Sequence, residues 1–243
     1  MKNLHVSVCR SFSSILCRYA LYTAFLTALL GLLPHVLGPQ PVAAFKEGGR
    51  VEWLQFGLAG VVTALLALGA WRLPRSRGLL SGLCVVAAVA MVREQDSAIQ
   101  SLTPWLRWEL PAGAILLAGA LMLWPRRRRL ASEFASFVSS TPFGVLWAAL
   151  AVTTVVSQLV GHGAFLRIVM GEEYNRDYKR VIEEATELCG YVLLLVGTIE
   201  TLVARRHGEV VAIAPASVRA TRPAPAVPRR DVLPEPVLAM NRS

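Results

Sequence analysis

Residues 188–204 read LCGYVLLLVGTIETLVA, an apolar run whose one charged residue is Glu200. About 20 residues of helix, rising 1.5 Å each, cross the roughly 30 Å hydrocarbon of a bilayer. Five more apolar runs precede this one, at 19–38, 52–71, 79–92, 110–124 and 142–161. The run at 79–92 is short and extends through Arg93. The one at 110–124 is also short and carries Pro111 in its first turn, where proline is tolerated. The pattern predicts an all-α polytopic membrane protein, a bundle of about six transmembrane helices. It divides the chain into a cytoplasmic amino-terminal segment (1–18), a transmembrane domain (19–209) and a disordered cytoplasmic tail (210–243) rich in Ala, Pro, Val and Arg.

Composition agrees. Of 243 residues, 54% are hydrophobic and 17% charged, against about 25% charged in a soluble domain. The missing charge is missing in blocks, so no large soluble domain is hidden here. A net charge of +9 raises the question of nucleic acid. The basic residues flank apolar runs and form no separate basic domain, so membrane lipids are the expected partners, with room for a membrane protein partner and none for nucleic acid. Cys9, Cys17, Cys84 and Cys189 form no CxxC pair and read as small apolar residues.

The loops set the orientation. Lys and Arg number 17 on the side of the amino end, the 72–77 loop, the 126–129 run and the tail, against 8 on the other. Without the tail, a weaker witness, the count is 10 against 8. Both chain ends are therefore predicted to be cytoplasmic, in a bacterial inner membrane. Val42 and Ala44 also match the small-residue pattern of a signal-peptidase site; cleavage there leaves five spans, although the first apolar run exceeds the usual signal core. Leu130, Phe134, Phe137 and Val138 recur at helical spacing after four arginines, as in a short helix on the inner surface. Trp105 and Trp108 suit an interfacial loop.

Ionisable residues beside spans mark a site or a buried pair. Here Arg93, Glu94, Asp96, Glu109, Glu183 and Glu187, with His162, gather at the external ends, and form the candidate polar cluster. On the sixth span Glu183, Glu187, Gly190, Leu194, Gly197 and Thr201 fall within about 80° at 100° per residue. The glycines admit a neighbouring helix. The two glutamates repel, so a cation, a proton or an arginine is expected between them; the plainer alternative is a structural ion pair with Arg93 or Arg107. On the fifth span Trp147, Ala151, Thr154, Gln158 and His162 form a second stripe, expected to face inward. Arg93-Glu94-Gln95-Asp96 serves one site only if the helix ends there. Glu200 is expected to pair with Arg205 or to snorkel. No HxxxH, HExxH, CxxC, GxSxG or phosphate-loop pattern occurs, so neither a metal nor a cofactor is predicted.

Arg93-Glu94-Gln95-Asp96, Lys179-Arg180, Glu183-Glu184, Glu187 and Gly190-Tyr191 resemble uncharacterised bacterial multi-pass inner-membrane proteins, over about a third of the chain. That resemblance implies bacterial origin and no chemistry. Membrane hydrolases related to alkaline ceramidases use several histidines around zinc, and the paired histidines are missing here. The expectation is a non-enzymatic membrane protein that binds a lipid, an ion or a partner through the external carboxylate–arginine cluster. Alternatives are an enzyme acting on a lipid or lipid-linked substrate at the external face and, third, a proton-coupled transporter.

Overall fold

The computed structural model describes residues 2–38, 41–46, 48–103 and 105–213. Among them all regular structure is helical. In order come α1 (Lys2–Leu37), α2 (Pro41–Ala44), α3 (Arg50–Arg72), α4 (Arg77–Arg93), α5 (Asp96–Leu102), α6 (Glu109–Leu123) and α7 (Arg127–Val138). Next, α8 (Thr141–Ala151) passes through a π turn (Val152–Val156) into α9 (Ser157–Val160), followed by α10 (Gly163–Met170) and the long α11 (Arg176–Ile213). Gly38 (φ +67°) ends α1 and Gly171 (φ +56°) ends α10, in a left-handed conformation that glycine adopts without a Cβ penalty.

Among the described residues, five stretches are long and apolar enough to cross a membrane: Ile15–Leu33, Arg50–Arg72, Pro74–Arg93, Thr141–Val160 and Arg176–Gly208. The predicted span at 110–124 coincides with α6, whose 15 residues make only about 22 Å of helix. Residues 2–18 of the predicted amino-terminal segment belong to the same helix as the first span. α11 runs on through Ile213, into the stretch read as a disordered tail; residues 214–243 lie outside the described residues.

The centre of the fold is α3. Its buried Val51, Gln55, Leu58, Val62 and Leu66 recur every three or four residues, a stripe that packs on both α4 and α11. Phe45, Leu188, Tyr191 and Val192 complete the core at one end, Ala70 and Leu80 at the other. Any Cβ on Gly69 would run into Leu202 of α11 and come within 3.3 Å of Leu80 of α4, which is how the three helices approach so closely.

The α8–α9 helix lies antiparallel on α11. A Cβ on Gly197 would stand 2.8 Å from Leu146, and one on Gly190 would overlap Thr153. From Gly197 to Gly190 is seven residues, matched by seven from Leu146 to Thr153. The next contact pairs Glu187 with Ser157, three residues along α11 but four along its partner. The additional residue is the one the π turn inserts. The packed face is therefore Ala149, Thr153, Ser157 and Gly161. This corrects the predicted inward stripe in part: Trp147, Thr154, Gln158 and His162 are exposed, and of these Trp147 and Thr154 line a cleft between α4 and α8. Thr154 needs no partner helix, because its hydroxyl donates to Leu150 O of its own turn at 2.8 Å.

At the arginine-rich end, α7 is clamped to the start of α4. Buried Glu133 accepts the Leu79 N–H at 2.8 Å and the Arg129 Nε–H at 2.8 Å. Arg129 Nη2 also donates to Pro74 O and Arg75 O, at 3.0 and 2.8 Å. The apolar pattern of α7 splits in consequence: Phe137 is buried, while Phe134 and Val138 are exposed.

Candidate functional site

At the opposite end α4 stops at Arg93. Glu94 caps it, its N–H bonded to Ala90 O at 3.2 Å, and the chain turns into α5. That turn separates the two acids of Arg93-Glu94-Gln95-Asp96. Glu94 points into the bundle and is buried. Asp96 accepts from Gln100 Nε2 at 2.9 Å and from the Trp108 N–H at 3.4 Å, in the following loop.

α11 meets the end of α4 with Glu187 and, one turn on, Tyr191. Arg93 Nη2 lies 3.3 Å from Glu187 Oε2 and 3.4 Å from Glu94 Oε1. The Tyr191 hydroxyl donates to that same Glu94 oxygen at 2.7 Å. Ser157 Oγ stands 3.4 Å from Glu187 Oε1. On α3, Gln55 Nε2 donates to Glu184 O and to Glu184 Oε2, both at 3.1 Å. Glu52 accepts from Ser97 Oγ at 2.9 Å and from the Gly48 N–H at 2.6 Å. The centre thus joins α4, α9 and α11 through two buried carboxylates, Glu94 and Glu187, on one guanidinium, and α3 joins α11 beside it through Gln55 and Glu184. Burial pushes the Glu94 carboxyl above its ordinary 4.5, against the opposing pull of the Tyr191 hydroxyl and Arg93.

Of the seven residues proposed from sequence, Arg93, Glu94 and Glu187 come together. Glu183 lies one turn outward, held by Lys179 Nζ at 3.3 Å and Gln158 Nε2 at 2.9 Å. No shared cation between Glu183 and Glu187 is needed, since each has its own basic partner. Glu109 pairs with Arg107 at 2.8 Å, well exposed, and His162 is exposed at the start of α10. Glu200 does not pair with Arg205. It receives Arg18 Nε at 3.1 Å and the Tyr22 hydroxyl at 2.7 Å, both from α1. Tyr191, Gln55 and Ser157 escaped the sequence reading because neutral residues in apolar runs look like core. The i, i+4 spacing of Glu187 and Tyr191 was the one signal available. Among the described residues, no group of His, Cys, Asp and Glu side chains converges as a metal site requires.

Directly beneath Arg93 opens an apolar cleft of about 290 Å³. α4 lines one wall with Leu83, Val86 and Ala90, and α8 the other with Phe143, Leu146 and Leu150. Tyr191 and Thr198 of α11 form its back, Phe134 and Phe137 its far end. The Thr198 hydroxyl is fully buried and has no hydrogen-bond partner among the described residues. From Leu83 to Arg93 is about 15 Å along the helix. No family model, no curated relative and no solved structure matches this chain.

Proposed function

We propose that this chain is a bacterial inner-membrane protein of six transmembrane helices that binds a lipid, its chain in the cleft between α4 and α8 and its polar head at Arg93. The observation that carries the reading is the cleft itself: apolar along its walls, ending at a guanidinium a third exposed, with the unpartnered Thr198 hydroxyl behind it. Both ion pairs of Arg93 fall on Nη2, which leaves its other nitrogens for a phosphate or carboxylate oxygen. A volume of about 290 Å³, at the lower edge of ligand pockets, suits one chain better than a whole headgroup.

Connectivity supports α6 as the sixth span. Arg93 ends α4 at one end of the bundle, and Glu133 of α7 binds Leu79 at the other. The chain between must return along α4, and α6 does so in contact with it: a Cβ on Gly119 would stand 2.7 Å from Val85. The missing length is supplied by the residues on either side of α6. Both chain ends are read as cytoplasmic because Arg75, Arg129 and Arg205 gather at the end away from Arg93.

The test is native mass spectrometry of the protein in a mild detergent. Wild type is expected to carry one lipid. Ala90→Phe, which fills the cleft, is expected to lose it without a fall in the thermal midpoint. Lipid-free wild type, or an Ala90→Phe variant that keeps its lipid, overturns the reading.

A further inference from the structure

We infer that the chain held in the α4–α8 cleft is an acyl chain with a hydroxyl part-way along its length, and that Thr198 is the residue that selects it. The inference rests on the reading of the cleft as a lipid site with the head at Arg93, and adds the chemical class of the lipid.

Thr198 of α11 lines the cleft and is fully buried, and its Oγ1 has no hydrogen-bond partner among the described residues. A threonine in a helix has a ready acceptor in the carbonyl four residues back. Thr63, Thr153, Thr154, Thr186 and Thr201 each use it, at 2.7 to 2.9 Å. Thr198 leaves Leu194 O unused. The other polar side chains of the lining are spoken for. Thr153 and Thr154 bond within their own helix, Tyr191 donates to Glu94 at 2.7 Å, and Arg93 is paired with Glu94 and Glu187. Apart from the exposed Trp147, Thr198 is therefore the polar side chain of the cleft that lacks a partner among the described residues. A buried hydroxyl left unmade is costly, and in hydrocarbon no bulk water relieves it.

The depth of Thr198 sets where on the chain the hydroxyl belongs. Tyr191, Leu194 and Thr198 follow at helical spacing along one face of α11, and all three line the cleft. The Tyr191 hydroxyl and Arg93 share Glu94 Oε1, so Tyr191 marks the level of the head. Seven residues of helix place Thr198 about 10 Å further in. A plain chain offers only C–H groups at that depth. A water there needs about two to four polar partners of its own. An in-chain hydroxyl needs only Thr198, because the chain that carries it fills the surrounding apolar space.

The experiment titrates the full chain in mild detergent with three probes, reading bound acid by native mass spectrometry. They are stearate, stearate with a hydroxyl on its tenth carbon, and stearate with a hydroxyl on its second carbon. The mid-chain hydroxyl stands about as far from its carboxylate as Thr198 stands from Tyr191; the hydroxyl beside the head controls for polarity alone. Wild type is expected to bind the mid-chain hydroxy acid about fivefold tighter than either of the others, one neutral hydrogen bond in size. Thr198→Val keeps the shape of the side chain without its hydroxyl and is expected to bring that ratio close to one, whereas Thr198→Ser keeps it. The thermal midpoint of ligand-free Thr198→Val is expected to match or exceed that of wild type, since no polar group is left unmade, so a lost ratio is not a lost fold. A wild-type ratio near one, or a Thr198→Val variant that keeps the fivefold preference, overturns the inference. Equal binding of all three acids that Ala90→Phe abolishes overturns it alone and leaves the cleft as a lipid site. Binding of none of them overturns both readings.

Discussion

Gly190 of α11 packs directly on Thr153 of the π turn, and this contact sets where Ser157 meets Glu187. The π turn adds one residue between Thr153 and Ser157. A side chain at 190 would have to enter the space of Thr153 Oγ1 and come within 3.0 Å of the Thr153 backbone nitrogen. Gly190→Ala is therefore expected to destabilise the protein by about 1–3 kcal/mol, the cost of overpacking. Gly57→Ala, where nothing lies within 4 Å, is expected to stabilise α3 by up to about 1 kcal/mol through helix propensity. Thermal unfolding in detergent compares the two, and equal responses would remove the close-packing argument.

The Arg93–Glu187 pair should behave as a coupled unit. Arg93→Met leaves Glu187 and Glu94 without their cation, at about 3 kcal/mol, the low end for a broken buried pair because the arginine side chain is 36% exposed. The Arg93→Met/Glu187→Met double variant is expected to recover part of that loss, and strictly additive effects would show that the pair contributes nothing. Glu187→Gln at equal abundance is expected to leave whole-membrane lipid composition unchanged. A lipid species present only with wild type would instead make this an enzyme.

Stability should depend on pH through Glu94. Its folded pKa is raised above 4.5 by burial. Between the two values the folded state holds a proton that the unfolded state has released, so stability is greatest below about pH 4.5 and falls as pH rises through the folded value. Thermal midpoints of wild type are expected to decline across this window relative to Glu94→Gln, which still accepts from Tyr191. Parallel profiles for the two proteins would assign the pH dependence elsewhere.

Arg18 and Tyr22 are the partners that make Glu200 tolerable within an apolar helix. Arg18→Ala is expected to lower the thermal midpoint, and Glu200→Gln in the same chain to restore most of it. Cleavage after Ala44 would remove both partners, and would cut beside Ala44 and Phe45, which are buried in the core. The intact mass of protein extracted from membranes is expected to include residues 1–44, and a mass lacking them refutes this assignment of the first helix.

The apolar runs were legible because run length maps directly onto helix length, and the close approach at Gly190 and Gly197 because glycines on one helical face have few other uses. Arg93 and Glu187 were legible as charges that demand compensation. The π turn was not, since a single inserted residue leaves hydropathy unchanged while rotating every later side chain. That rotation is why Ser157, and not Gln158, faces Glu187. Nothing in the local pattern singles out Glu133; its role as acceptor for the Leu79 N–H depends on a contact 54 residues away. The Arg18–Glu200 pair spans 182 residues, and no local pattern encodes it.

The cleft takes its two walls from the sides of α4 and α8. Were it to hold a lipid as proposed, that lipid would reach it by diffusion within the plane of the bilayer without passing through water. Its occupancy would then be governed by mole fraction in the bilayer rather than by aqueous concentration. Diluting the ligand with inert lipid should empty the site, while diluting the vesicles themselves should not.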